Sequence, residues 1–329
     1  RPDVRHRHRV RRPSTLAYPP PMADEPDRDD GHRGTDGDTD GVELRRDEAL
    51  CVVSFNLRFD NPTDGPNRWK HRRRAVVAFL DGTADLAGLQ EARRCPLGYL
   101  VRHLRSFRWV GVGRDDGRRK GEYAPIFYRR DRFERGDRGT FWMSTTPDEP
   151  GTRSWGSSRP RIATWVVLHE RATGRELLLV NVHLDHKSAE ARAEGAKLIR
   201  KRLAPLAGGR PVILTGDFND GPGGDAYATL TDPELADEGP TLVDARSVSL
   251  GGHEGPDSTW TGFKGIKEGR VIDFVLVSRD VTVLRHRSVD DRPGGRFLSD
   301  HLPVLAVLAL PAPGAASTPH TPDPPDATP

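Results

Sequence analysis

Short runs of apolar and β-branched residues alternate with segments of helical periodicity along residues 47–310. This alternation is typical of a layered α/β domain, because a helical bundle would not contain the intervening strand-like runs. The segment contains no internal repeat and no Pro-rich linker, which favours one domain over two. The sequence therefore predicts a single α/β domain over residues 47–310.

Two kinds of pattern locate the predicted elements. Strands are expected where the apolar runs are short, at 50–57, 85–89, 123–129, 161–169, 176–184, 212–215, 271–278 and 304–310. Apolar residues at helical spacing predict a helix over 69–80, with the arginines 72–74 as its solvent-exposed basic face. A second helix is predicted from Ser188, as its N-cap, to about residue 203.

The two ends of the chain differ from this core in composition. Residues 1–46 and 311–329 carry few apolar side chains, so they cannot offset the entropy lost on ordering, and we expect both to be disordered. The chain has 51 Lys and Arg against 48 Asp and Glu, a formal net charge of +3, which alone does not indicate nucleic-acid binding. Two cysteines, Cys51 and Cys95, are too few for a disulfide framework, and we expect both to be core thiols.

Sequence signals for a membrane or secretory location are not found. The longest apolar run, 302–310, contains Pro303 and is much shorter than the roughly 20 residues that cross a bilayer. No apolar stretch follows the basic residues 1–12, so a secretory signal is not predicted. These observations predict a cytoplasmic protein without a membrane span, and we expect a monomer.

Polar residues occur where several of the predicted strands end. Asn181, His183 and Asp185 alternate with apolar residues and therefore share one face of a strand. Asp217 and Asn219 come directly after the next apolar run, in the same alternating arrangement. Because buried carboxylate and amide groups are costly unless they bind a partner, these positions are candidates for a functional site.

Further polar residues follow the same pattern. Asp273 is embedded in an apolar strand, whereas Asp300 and His301 precede the last strand and must lie in its entry loop. Asn56 lies inside the first strand, and Glu91 comes just after the short strand 85–89. Each residue alone is explained more simply as a turn former, a cap or a hydrogen-bonded core residue. Their joint occurrence at five strand ends exceeds what turns require and predicts a polar site.

Six motifs in chain order resemble the endonuclease/exonuclease/phosphatase superfamily. The motifs are Ser54–Arg58, Leu89–Glu91, Asn181–Asp185, Gly216–Asn219, Ile272–Phe274 and Ser299–His301. The resemblance covers residues 50–310, and the segments 59–62, 121–128 and 160–161 are similar to a bacterial branch near the deadenylase- and nocturnin-like members. It implies a four-layer α/β/β/α sandwich of two packed mixed β-sheets, with helices outside and the site at one rim.

The resemblance also implies a metal site. Glu91 would be the metal carboxylate, with Asn56 and Asp300 near it. Oxygen ligands without a Cys or His cluster suit Mg²⁺ or Mn²⁺ rather than zinc. The metal would polarise a phosphoryl oxygen and stabilise charge in the transition state.

The remaining roles concern the general base and the phosphoryl group. His301, paired with Asp273, is one candidate for the base, and Asp217 is the other, because the resemblance leaves both open. Contacts to the phosphoryl oxygens or the leaving group are expected from His183, Asn219, Asn181 and, more loosely, Tyr123.

These roles imply a divalent-metal-dependent phosphoesterase that hydrolyses phosphodiester bonds. Our first expectation is a nuclease, similar to 3′–5′ exonucleases of RNA or DNA, and the alternative is a hydrolase of a phospholipid head group or small phosphate ester. A non-catalytic binding protein would lack a metal or histidine residue of the set, and none is missing. An aromatic stacking platform beside the site would favour nucleic acid, and Trp155, Trp260 and Phe263 are candidates for it.

Overall fold

The computed structural model describes residues 49–312. The two segments predicted to be disordered, 1–46 and 311–329, lie outside this range except for residues 311 and 312. The strands are β1 (Ala49–Asn56), β2 (Leu86–Gln90), β3 (Phe107–Val110), β4 (Ile126–Arg129), β5 (Phe133–Trp142), β6 (Ile162–Glu170), β7 (Glu176–His183), β8 (Val212–Asp217), β9 (Leu242–Asp244), β10 (His253–Glu254), β11 (Asp273–Ser278), β12 (Thr282–Ser288) and β13 (Val304–Ala309). The α-helices are α1 (Trp69–Thr83), α2 (Arg94–His103), α3 (Ala189–Ala207), α4 (Asp225–Thr231) and α5 (Ala245–Val248). Short 3₁₀ helices cover Pro62–Asn67, Pro233–Glu238 and Pro293–Gly295.

The strands form two mixed sheets. The first has seven strands in the order β10-β12-β13-β1-β2-β4-β3, and the second has six in the order β5-β6-β7-β8-β11-β9. The pairs β1–β2, β7–β8 and β10–β12 are parallel, and the other neighbouring strands are antiparallel. Because the strands of the pairs β1–β2 and β7–β8 are parallel, the carboxyl ends of each pair lie side by side. The residues that follow the two strands of a pair are therefore neighbours.

The three largest hydrophobic clusters lie between the four layers of the described part of the chain. Alternating side chains of both sheets, such as Leu50 and Leu179, pack against each other between the sheets. Helices α1 and α2 cover the outer face of the first sheet, and helices α3 and α4 cover the outer face of the second. The predicted α/β/β/α sandwich is confirmed. Within the described range, no helix has the length and apolar character needed to cross a bilayer.

Most predicted elements exist with shifts at their ends, and the strands that were missed are β3, β5, β9, β10 and β12. Strand β5 carries charged residues over 134–138 because it lies at the edge of its sheet, where one side of the strand faces solvent. Ser188 accepts a hydrogen bond from the Ala191 amide and caps α3, as predicted. The prediction of two core thiols was wrong for Cys95, which is exposed, whereas Cys51 is half-buried.

The two sheets approach each other closely at Gly88 in β2. A Cβ atom on Gly88 would lie 1.9 Å from Thr215 Oγ1 and 2.7 Å from Asn181 Oδ1, both on the facing sheet. Asn181 Oδ1 also accepts hydrogen bonds from Gln90 Nε2 (2.7 Å) and from Thr215 Oγ1 (3.1 Å). Gly88 therefore leaves the space in which a buried polar cluster joins the sheets.

Replacing Gly88→Ala should lower the free energy of unfolding by about 3 kcal/mol, because the new methyl group overlaps the Thr215 hydroxyl. Gly82→Ala is the matched control, since nothing lies within 4 Å of its Cβ position on helix α1. It should raise the free energy of unfolding by about 0.5–1 kcal/mol. Urea unfolding of both variants measures the difference, and equal stabilities would contradict the close approach.

Candidate active site

Most of the predicted site residues lie at one rim of the sandwich, in or beside a cavity of about 1080 Å³. The carboxyl end of β1 lies beside that of β2 in the first sheet, and the end of β7 lies beside that of β8 in the second. The cavity is lined by His183, Asn219, Glu91, Asp300 and His301 together with many cationic side chains.

Asn56 joins the two halves of this rim. Its Nδ2 donates to Asp217 Oδ2 (2.8 Å) on the second sheet and to Glu91 Oε1 (3.3 Å) on the first. Its Oδ1 accepts from the Arg58 amide (2.9 Å), which fixes the orientation of the side-chain amide. In this arrangement Asn56 positions Glu91 and Asp217, and its oxygen is already engaged.

Asp217, Asp273 and His301 form a buried cluster beneath the cavity. His301 Nδ1 hydrogen-bonds Asp273 Oδ2 (2.8 Å), and His301 Nε2 lies 3.9 Å from Asp217 Oδ2. One ligand atom of each residue lies within 4.8 Å of the others, which is compact enough for a metal ion. The hydrogen bond from His301 to Asp273, however, already pairs the imidazole with a carboxylate, so one of the two acids has its partner within the cluster.

The charges in this cluster support that interpretation. Burial alone would lower the pKa of His301, but the charges of Asp273 and Asp217 and the Asp273 hydrogen bond raise it to about 10. The imidazole is then protonated at neutral pH. Burial and the neighbouring Asp273 raise the pKa of Asp217, although His301 and Asn56 act in the opposite direction. A raised pKa brings a carboxylate nearer to the range in which it accepts a proton at neutral pH.

Glu91 lies in a different electrostatic environment. Burial, followed by the charges of Glu122 and Asp300, raises its pKa. Its Oε2 accepts from the Phe59 amide (3.0 Å), and its backbone has a positive φ of 57°. Such strain persists only where the surrounding structure holds the residue in place. Three carboxylates thus share one end of the cavity, and their oxygen donor set fits a divalent cation such as Mg²⁺ or Mn²⁺.

His183 and Asn219 border the cavity above Asp217. Burial lowers the pKa of His183 well below its usual range, and the charges of Arg161 and Arg114 add to this effect. The neutral imidazole lies with Nε2 3.5 Å from Asp217 Oδ2. Asn219 donates from its backbone amide to Asp217 Oδ1 (2.8 Å) and from Nδ2 to the Leu184 carbonyl.

Two predicted contact residues lie away from this cavity. Asn181 is fully buried, and its Nδ2 donates to the Leu89 and Pro125 carbonyls, so it belongs to the polar cluster at Gly88. Tyr123 is 6% exposed, and its hydroxyl donates to the Arg118 carbonyl. Neither side chain lines the cavity described above. The structure therefore gives both residues contacts within the fold.

Sequence reasoning missed the cationic wall of the cavity. Arg114 pairs with Glu122 through Nη1 (2.7 Å), and Arg93 reaches the other oxygen of Glu122 (3.2 Å). Arg161 hydrogen-bonds His186 and lies 3.4 Å from Asp185. The segments 121–128 and 160–161, which resemble relatives, include Glu122 and Arg161, but no sequence signal pointed to Arg93 or Arg114, because isolated arginines in loops follow no periodicity.

Comparison with known proteins identifies the family of the chain. The profile of the Endonuclease/Exonuclease/phosphatase family matches residues 53–301. An endonuclease/exonuclease/phosphatase from Bacteroides vulgatus is 38% identical with a TM-score of 0.75, and the similarity covers 80% of this chain and 99% of that one. A mannosyl-6-phosphatase of Bacteroides thetaiotaomicron is 32% identical with a TM-score of 0.73, covering 79% of this chain and all of that one. Nocturnin of Drosophila melanogaster is 22% identical over 281 residues, which are 74% of this chain and 42% of nocturnin.

Arg72 holds the loops on the Asp300 side of the cavity together. The prediction of a solvent-exposed basic face on α1 was wrong for this residue, which is 3% exposed. Its guanidinium donates to the backbone carbonyls of Asn67, Leu57, Leu298 and Arg58. It thereby ties the end of β1 to the loop that carries Asp300.

Arg72→Lys should lower the free energy of unfolding by about 3 kcal/mol, because one ammonium group cannot reach four carbonyls and leaves some of them unpaired. Arg74→Lys on the same helix is the control, since Arg74 is exposed, and it should change stability by less than about 0.5 kcal/mol. Thermal and urea unfolding provide the measurement. Equal stability of the two variants would show that Arg72 is not required to hold these loops.

Proposed function

Because the chain belongs to the Endonuclease/Exonuclease/phosphatase family, whose members are phosphoric ester hydrolases, we propose that it removes phosphate from small phosphate monoesters. This proposal rests on the excess of positively charged side chains that line the cavity. Nine Arg and Lys side chains line it, against four carboxylates. Such an excess attracts anionic substrates, and a monoester presents two negative charges near neutral pH. The cavity volume of about 1080 Å³ suits a small molecule.

The aromatic residues near the cavity support the same proposal. Of the rings considered for base stacking, Trp260 lines the cavity, and the Arg270 guanidinium lies 4.1 Å from its ring centroid. Phe59, which also lines the cavity, has the guanidinium groups of Arg58 and Arg93 at 4.8 and 4.3 Å from its centroid. These rings are engaged by arginines within the protein, which disfavours a row of free stacking surfaces for nucleic-acid bases. Similarity to a mannosyl-6-phosphatase along its whole length agrees with a small substrate.

The metal would be held by Glu91 and Asp300, with Glu122 as the neighbouring carboxylate. The fit follows from the donor set, since Glu122 and Asp300 raise the pKa of buried Glu91 and a cation between these carboxylates would stabilise its charged form. We propose Mg²⁺ or Mn²⁺, which prefer such oxygen ligands. When bound, the ion would supply charge stabilisation to a phosphoryl oxygen.

The other residues of the site would contact the phosphoryl group or the attacking water. Protonated His301, held by Asp273, would stabilise negative charge on the phosphoryl group, and neutral His183 would donate a hydrogen bond to it. Asp217 would then accept the proton of the attacking water, because His301 already carries a proton. Asn219 and Asn56 would position Asp217 through their hydrogen bonds to it.

A nuclease is the second candidate, favoured by the similarity to nocturnin over 74% of this chain. The cytoplasmic location and the monomeric state also remain predictions. A phospholipid substrate has no specific observation in its favour.

The test is a hydrolysis panel with and without Mg²⁺ or Mn²⁺. Its substrates are a hexose 6-phosphate, p-nitrophenyl phosphate, oligoadenylate, duplex DNA and sphingomyelin. We expect metal-dependent phosphate release from the monoesters, and we expect Glu91→Gln to lower kcat about a thousandfold because it removes a negatively charged metal ligand.

Glu134→Gln, an exposed position outside the cavity, is the matched control and should keep the wild-type rate. Faster hydrolysis of oligoadenylate or duplex DNA than of any monoester would show that the enzyme is a nuclease and would contradict the proposed phosphatase activity. A wild-type rate of hydrolysis by Glu91→Gln at saturating metal would show that Glu91 is not a metal ligand.

A further inference from the structure

Arg161 is a buried arginine whose charge is only partly paired. It is 4% exposed, its Nη2 donates to His186 Nδ1 (2.8 Å), and its Nε lies 3.4 Å from Asp185 Oδ2. Its Nη1 is buried without a hydrogen-bond partner among the described residues. A buried unpaired donor on a charged group is costly, so the position invites an acceptor.

Asp185 does not neutralise Arg161 fully, because other donors share its charge. Oδ2 accepts from Ser157 Oγ and from both the amide and the hydroxyl of Ser158, and Oδ1 accepts from the amides of Lys187 and Ser188. Burial alone would raise the pKa of Asp185, but these hydrogen bonds lower it. Asp185 therefore anchors the loop, and the guanidinium makes one long contact with it instead of a bidentate pair.

Arg114 adds a second buried guanidinium on the same cavity wall. It is 8% exposed and pairs with Glu122, a carboxylate that it shares with Arg93. Its Nε is also buried without a hydrogen-bond partner in the described part of the chain, although Asp115 Oδ1 lies 3.9 Å from it. Burial lowers the pKa of Arg114 and the like charge of Arg161 acts in the same direction, whereas the carboxylates of Glu122 and Asp115 act in the opposite one. Two guanidinium groups that repel each other beside a cavity are stabilised by an anion that both can contact.

We propose that Arg114 and Arg161 form a second anion subsite of the cavity, which binds a phosphate or carboxylate group other than the phosphoryl group that is hydrolysed. The inference rests on the proposed function and specifies its substrate class as a phosphate monoester with a second anionic group. The reacting group already has partners in His301, His183 and the metal that Glu91 would hold. The unpaired donors of the two arginines, Nη1 of Arg161 and Nε of Arg114, are left for the rest of the substrate.

Binding measured by calorimetry tests the subsite without turnover. The Glu91→Gln full chain is titrated with a hexose 6-phosphate, a hexose 1,6-bisphosphate and 6-phosphogluconate, whose second group is a carboxylate. We expect at least one two-anion ligand to bind about 10 to 100 times more tightly than the monophosphate, because charge-assisted hydrogen bonds to arginine contribute that much. Adding Arg161→Met should abolish this preference while changing monophosphate affinity by less than about threefold.

Arg159→Met is the matched control, because Arg159 lines the same cavity but is exposed, where solvent screens its charge. It should leave the preference intact. If Arg161→Met does not fold, Arg161→Lys and Arg114→Gln replace it, and each should reduce the preference at least fivefold.

Three outcomes would overturn the subsite. The first is equal affinity of the Glu91→Gln chain for one-anion and two-anion ligands. The second is an equal loss of affinity for both kinds of ligand when Arg161→Met is added, and the third is no loss of affinity for either when it is added. Failure of the proposed function is a separate result, in which the wild-type enzyme releases no phosphate from any monoester while the binding preference persists.

Discussion

The two β-sheets meet at Gly88, and the hydrogen bonds that cross between them there and at Asn56 determine where the catalytic groups lie. Gln90 and Thr215 both donate hydrogen bonds to Asn181 Oδ1 in the space that the glycine leaves. Gln90 directly precedes Glu91 on the first sheet, and Thr215 lies two residues before Asp217 on the second. Asn56 then bridges Glu91 and Asp217 at the rim. A shift of one sheet against the other would separate these two carboxylates.

The buried titratable residues at the rim form two groups, one of which contains a histidine whereas the other consists of carboxylates. In one, protonated His301 lies between Asp273 and Asp217, so the cluster contains its own counter-charge. In the other, burial and the charges of Glu122 and Asp300 raise the pKa of Glu91. A cation would relieve the repulsion between these carboxylates. This division is the reason why we propose the metal at the Glu91 end and proton transfer at the Asp217 end. It also explains why a compact trio of potential ligands need not be the metal site.

Much of this arrangement could be predicted from sequence, and the rest depends on tertiary contacts. Asp217 and Asp273 were recognisable because each ends or interrupts an apolar run, and His301 because it directly precedes one. Asn181 fits the same pattern, yet its partners are carbonyls between the sheets, which no local pattern reveals. Arg72 has the helical position of a surface residue and is buried only because loops distant in sequence close over it. The guanidinium groups of Arg114 and Arg161 come from irregular loops, and only the fold places them on one cavity.

Anomalous diffraction from a crystal soaked in Mn²⁺ tests the division of charges most directly. The account predicts an anomalous peak beside the carboxylates of Glu91 and Asp300, and no peak between Asp217, Asp273 and His301. A peak within the Asp217–Asp273–His301 cluster, with none at Glu91, would contradict it, because the cluster would then require a cation instead of supplying its own.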